Sequence, residues 1–291
     1  ASFPVINIEK GRIEGNFTAE FEPSDKLPKM VSFKCGTKVN VVPAAAEALF
    51  EGLDGDETEA LAKSMEEELG ITFTVSSEDG CLKIAASGEN GHASTPWKGK
   101  NALTGLLALI ERLPLAECGQ LKAVRALNHL MPHGDWFGAG LGIQMSDEES
   151  GELTLAFSML DISEKSLEGE FDSRCPICAT KENTIDVIRK NMEAEGISFN
   201  TEELEPPHHV PADSDFVKTL LSAYESYSGR KGECIAIGGG TYVHHLKNGV
   251  AFGACLPETE NHMHGPDEFA VVDELLMSAK IFAQVIVDLC S

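Results

Sequence analysis

Apolar and polar positions alternate over residues 16–22, where Phe17, Ala19 and Phe21 share a face, and over 153–162, where Leu153, Leu155, Phe157 and Met159 do. A period of two predicts half-buried strands. Shorter extended runs at 3–8, 30–33, 71–75, 82–86, 169–174, 197–199, 234–237 and 250–252 predict further strands. Elsewhere the period is helical. Ala102, Leu103, Leu106, Leu107, Ile110 and Leu113 recur at helix spacing with Pro114 as the stop, and segments 57–69, 121–130 and 184–195 read alike. Pro43 stands where a first helical turn tolerates it, so the Ala-rich stretch 44–53 is expected to be a helix. Ser214 caps a helix carrying Phe216, Val217, Leu220, Leu221, Tyr224 and Tyr227 that ends at Gly229, and a last helix carries Leu275, Leu276, Ala279, Phe282, Ala283, Ile286 and Leu289.

Residues 205–211 interrupt this pattern. Pro206, Pro207 and Pro211 make a stiff connection and mark a domain boundary. The strand and helix order before it suits two antiparallel sheets backed by helices on one side, whereas the α/β remainder is too small for a complete doubly wound domain. A chain of 291 residues, 42% hydrophobic, can bury two cores.

Charge narrows the partners. Lys+Arg 23 against Asp+Glu 47 leaves a net −24, which disfavours nucleic acid and anionic membrane, since both need basic patches. No apolar run reaches the roughly 20 residues of a membrane span, and the first residues lack a basic leader, so a cytoplasmic setting is expected. The eight cysteines are dispersed and expected to be thiols. Cys175-Pro-Ile-Cys178 has no second pair at zinc-ribbon spacing and reads as a turn.

The richest stretch for chemistry runs from Gly238-Gly239-Gly240-Thr241 to His264-Gly265-Pro266-Asp267-Glu268. Consecutive glycines let a backbone take positive φ or approach a ligand closely, and a His held by a Gly-Pro turn after a strand can ligate a metal. His262 shares a face with His264 if extended, whereas His208-His209 and His244-His245 would point to opposite faces. His133-Gly134-Asp135 has an H-x-D form but leads into a strand far from that stretch, and reads as coincidental.

The segments IGGGTY, NGVAFG and HMHGPDE, with FPVINIEKG and GHASTPWKGKNA, together resemble the PepV-type dipeptidases of the zinc amidohydrolase and metallopeptidase superfamily. The likeness runs through the whole chain in order. It implies an α/β fold in which residues 1–10 and 207–291 form the edge and C-terminal half of a catalytic domain. Residues 11–206 would be an inserted α+β lid of two β-α-β repeats. It implies hydrolysis of dipeptides or short peptides with two zinc ions, of whose ligands His264 matches one. The other metal-binding segments and the general base are expected to belong to an N-terminal part absent from this sequence, so the chain is expected to be inactive alone.

By the same resemblance, Asn40 in VNVVP would hold the substrate backbone or carboxylate, and His92 in GHASTP would hydrogen-bond the oxyanion. Arg174 in DSRCP would grip the substrate carboxylate, although Cys175 replaces the usual aromatic. Gly239, Gly240 and Thr241 would line the substrate. An N-acyl amino acid deacylase of the same superfamily and a non-catalytic peptide-binding fragment stay open as alternatives.

Overall fold

The computed structural model describes residues 2–262 and 266–291. The chain divides into two compact units: Ala1–Gly11, Asp147–Gly151 and Pro206–Ser291 make the smaller, Arg12–Ser146 and Glu152–Glu205 the larger. The fold is mixed α/β.

After β1 (Val5–Glu9), the larger unit follows with β2 (Gly11–Glu20), β3 (Lys29–Cys35), β4 (Val41–Val42), β5 (Ala45–Glu51), α1 (Gly55–Leu69), β6 (Thr72–Glu78), β7 (Cys81–Ser87) and β8 (Gly91–His92). Next come α2 (Ala102–Arg112) and α3 (Gly119–Leu130). The two-residue strands β9 (Ser146–Asp147) and β10 (Gly151–Glu152) precede β11 (Thr154–Ile162), β12 (Ser166–Cys175), α4 (Ile185–Ala194) and β13 (Ser198–Phe199). One eight-stranded sheet, in the order β13-β2-β12-β11-β3-β5-β7-β6, takes in both halves of this unit. The two sheets expected from the pattern are therefore a single sheet. Pairing of β11 with β3, through Leu160 and Cys35, joins them.

Helix α2 packs on β5, β7 and β11 and also meets α1 and α3. Enclosure on so many sides explains why Leu103, Leu106, Leu107, Leu109 and Ile110 are all buried, instead of one stripe. Each such side chain contributes about 1.5–3 kcal/mol on burial. Beneath the sheet Phe17, Phe157, Phe171 and Phe199 pack ring to ring. Gly15 admits the Phe171 ring, which an added Cβ would meet at 2.1 Å.

The expected helix over 44–53 is β5 instead. Ala46, Ala48 and Phe50 are buried while Ala45, Glu47 and Glu51 are exposed, a period-two face that β3 and β7 pair on either side. Sheet pairing outweighs the helix propensity of Ala, Glu and Leu. Local caps served better. Gly70 and Gly229 are left-handed after α1 and α5 (Asp215–Ser228), and the Ser214 side chain accepts from Val217 N–H.

In the smaller unit β14 (His208–His209), β1 and β15 (Cys234–Ile237) form a three-stranded sheet. β1 runs parallel to β15 and antiparallel to β14. The core gathers Phe3, Val5, Val217, Leu220, Tyr224 and Ile281, with α5 packed on α6 (Val272–Cys290). The strand expected at 250–252 reduces to a single bridge between Ala251 and Ile6. All eight cysteines are thiols. Among the described residues, no helix is long and apolar enough to cross a membrane.

Candidate functional site

The larger unit brings three of the residues singled out in the sequence to one place. Val41 of β4 pairs with His92 of β8, and Ala93 N–H donates to Asn40 O at 3.1 Å. Thr154, opposite Arg174 in the β11–β12 ladder, donates its hydroxyl to Ala93 O at 3.2 Å. Val42, Ala93 and Ala156 pack under this junction. Asn40 and His92 are thus fixed by backbone pairing to the same end of β11 that carries the partner of Arg174.

The His92 tautomer follows from its neighbours. Ser94 N–H donates to Nδ1 at 3.1 Å and the Ser94 hydroxyl lies 2.7 Å from it, so the ring proton sits on Nε2. Partial burial lowers the His92 pKa below its ordinary 6.5, nearby Arg174 and Arg12 add to that, and Asp172 opposes it. The ring is a neutral donor. Neither its Nε2–H nor the Asn40 side-chain amide has a hydrogen-bond partner among the described residues.

Arg174 is held by a residue the sequence reading passed over. Asp172, fully buried, accepts from Arg174 Nε at 2.5 Å and Nη2 at 2.8 Å, and from Arg12 Nε at 3.1 Å. Arg12 also pairs with Glu14. A buried carboxylate needs such partners, and here one carboxylate orients two guanidiniums. Its position two residues before Arg174 on a strand, hence on the same face, was the available signal.

The H-x-D sequence has a structural job. Asp135 accepts from the backbone N–H of Phe137, Ala139 and Gly140, closing a loop. His133 lies between Leu69 O at 2.9 Å and the Thr104 hydroxyl at 2.8 Å, and burial lowers its pKa. Both border a cavity of about 110 Å³ that Trp136, Leu155 and Phe157 help to line.

In the smaller unit, the glycine loop follows β15. None of Gly238, Gly239 and Gly240 has positive φ, contrary to one use expected of them, and a Cβ on Gly239 would meet nothing within 4 Å. The peptide groups of Gly239 and Gly240 have no hydrogen-bond partner among the described residues. Thr241 donates its N–H, at 3.0 Å, and its hydroxyl to the carboxylate of Glu9. His244 Nδ1 lies 3.0 Å from Glu9 Oε2, and His244 Nε2 lies 3.0 Å from Pro206 O. Glu9 is the second residue the sequence reading missed. Its signal was an acidic end to an otherwise apolar, wholly buried strand.

His264 lies outside the described residues. Among the described residues, no group of three or more His, Cys, Asp or Glu is placed to hold a metal ion. The described donors by themselves do not make up a zinc site, and the chemistry below runs through no metal.

Residues 8–288 match the family described as peptidase family M20/M25/M40. The chain belongs to that family. Among curated M20/M25/M40 relatives, a protein named putative dipeptidase YtjP, from Bacillus subtilis (strain 168), is 36% identical over 292 residues, covering 99% of this chain and 62% of that protein. The Beta-Ala-Xaa dipeptidase of Lactobacillus delbrueckii subsp. lactis is 31% identical over 297 residues, covering 99% of this chain and 61% of that protein. The chain thus spans about three fifths of the length of these relatives. The crystal structure of aminoacylhistidine dipeptidase from Vibrio alginolyticus shares the fold of this M20 chain, with a TM-score of 0.53 at 15% identity over 99% of this chain and 64% of that one.

Proposed function

We propose that this chain supplies the substrate-holding part of a peptidase that cleaves dipeptides or short peptides, of the PepV type. The observation that carries the reading is the pair of unpartnered donors, Asn40 amide and His92 Nε2–H, fixed beside an arginine whose fork is already oriented. Arg174 would bind the free C-terminal carboxylate, because a planar guanidinium held by Asp172 loses little freedom on doing so. Asn40 would hold the substrate backbone. His92, neutral and carrying its proton on Nε2, would donate to the oxygen that gains charge as the amide is attacked, without giving up a proton. Gly239 and Gly240 would offer open peptide groups to an extended substrate. Domain limits of 1–10, 11–206 and 207–291 belong to this reading, with the middle segment acting as a lid. His264 is its ligand for one of two zinc ions, whose other ligands would be residues outside those described.

The test is a substrate panel offered to the protein expressed from its whole gene: dipeptides, the same dipeptides amidated at the C-terminus, and N-acyl amino acids. Dipeptides should be cleaved and their amides poorly. Equal cleavage of amides would remove Arg174 from its role, and turnover of N-acyl amino acids alone would make the protein a deacylase. Gly239→Ala should raise KM while leaving stability unchanged, since its Cβ meets only open space.

A further inference from the structure

The geometry points to Glu9 as the positioning residue of the glycine loop, acting through Thr241 and His244; the inference rests on the reading that this loop meets substrate. Glu9 ends β1 with its side chain fully buried, a costly place for a carboxylate unless donors surround it. All three of its donors come from one four-residue stretch of the loop: the Thr241 hydroxyl to Oε1, and Thr241 N–H and His244 Nδ1–H to Oε2. On the other side of the same ring, Nε2 lies 3.0 Å from Pro206 O, so the His244 ring is held from both edges. The backbone of the same Glu9 pairs with Ile237, and Lys10 N–H donates to Ile237 O at 2.9 Å. One residue therefore pins the loop at both ends. Its backbone holds the strand that enters the glycines and its carboxylate holds the residues that leave them.

Three glycines between those pins would otherwise be among the most mobile segments a chain can have, and ordering them on binding would weaken affinity. The clasp fixes them beforehand, with Oε2 3.9 Å from where a Gly240 Cβ would lie. It also divides the labour within the loop. Both donors of Thr241 are spent on Glu9, so Thr241 holds the loop, while the peptide groups of Gly239 and Gly240 keep no partner among the described residues and are left for the ligand.

Three variants test this: Glu9→Gln, Thr241→Val and Thr241→Ser. Amide hydrogen exchange over 238–246 should quicken by roughly tenfold or more in the first two, with helix α5 unchanged, and return to the parent rate in Thr241→Ser. In the protein expressed from its whole gene, KM for a dipeptide should rise about tenfold in the same two variants, with kcat held within about threefold, and again recover with Ser. Should Glu9→Gln fail to fold, Thr241→Val decides alone, because it removes only the hydroxyl from the clasp and leaves the carboxylate its other two donors. Unchanged loop exchange, or a Ser variant as poor as Val, would overturn the proposal. A parent protein that cleaves no dipeptide would sink the functional reading instead, and the exchange measurement would still decide on the clasp.

Discussion

Replacing Asp172 with Asn perturbs the larger unit at its most charged buried point. The carboxylate is 0% exposed and Arg174 only 8%, whereas Arg12 is 29% exposed and has Glu14 besides. Asn keeps the shape but sets an amide N–H against donors, so at least one of three hydrogen bonds to a charged partner is lost, at about 1.5–3 kcal/mol each. Arg174 is also left without its countercharge, and breaking such a pair from one side costs about 3–5 kcal/mol in all. The partly solvated Arg12 should matter far less, about 1 kcal/mol or under for Arg12→Gln. Urea unfolding followed by tryptophan fluorescence isolates this unit, because the two tryptophans, Trp97 and Trp136, both lie in it. Removing both charges, in Asp172→Asn with Arg174→Gln, should cost less than the sum of the single changes, with a coupling of roughly 2 kcal/mol. A cost under about 1 kcal/mol for Asp172→Asn, or strict additivity, would refute the view that Asp172 holds Arg174 in place.

Asp135→Ala should cost about 1–3 kcal/mol in the same unfolding assay through three orphaned backbone donors and leave metal content untouched. The acid side of the stability profile should show His133. Its pKa is lowered on folding, so the unfolded chain binds more protons; stability is full above the ordinary value of 6.5 and falls as pH drops through it. His133→Gln should flatten that slope, and an unchanged slope would remove His133 as its source. In the protein expressed from its whole gene, His92→Ala should lower kcat by roughly 10²–10³-fold without loss of metal. Arg174→Lys should chiefly raise KM, because a point charge cannot replace the oriented fork; steady-state kinetics separate the two.

What was legible in the sequence was local. Gly70, Gly229, Ser214 and Pro114 each act within a turn of the helix they bound, and those ends were read correctly. Segment 45–51 was misread because Ala, Glu and Leu favour helix, while the strands that claim it, β3 and β7, lie elsewhere in the sequence. Asn40, His92 and Arg174 were singled out through motifs, and their juxtaposition depends on β4, β8, β11 and β12 meeting. Asp172 and Glu9 went unseen for a related reason. A carboxylate's role is set by which donors surround it, and Thr241 lies 232 residues from Glu9.

The chain leaves the three-stranded sheet of the smaller unit just after Glu9 and rejoins it at His208, residues that face each other there, while Arg12 and Glu205 exchange backbone hydrogen bonds at the neck of the larger unit. To the smaller unit, a folded insert with its ends tied therefore resembles a short hairpin connection and not a loop of nearly two hundred residues. Closing a loop costs about 0.6 kcal/mol more for each doubling of its length, so some six doublings are avoided, roughly 3–4 kcal/mol. That difference gives folding a preferred order. The larger unit, whose strand pairs lie within itself, can form first, and only then do β1 and β14 find each other cheaply; a mutation at the Arg12–Glu205 neck would slow assembly of a sheet it never touches.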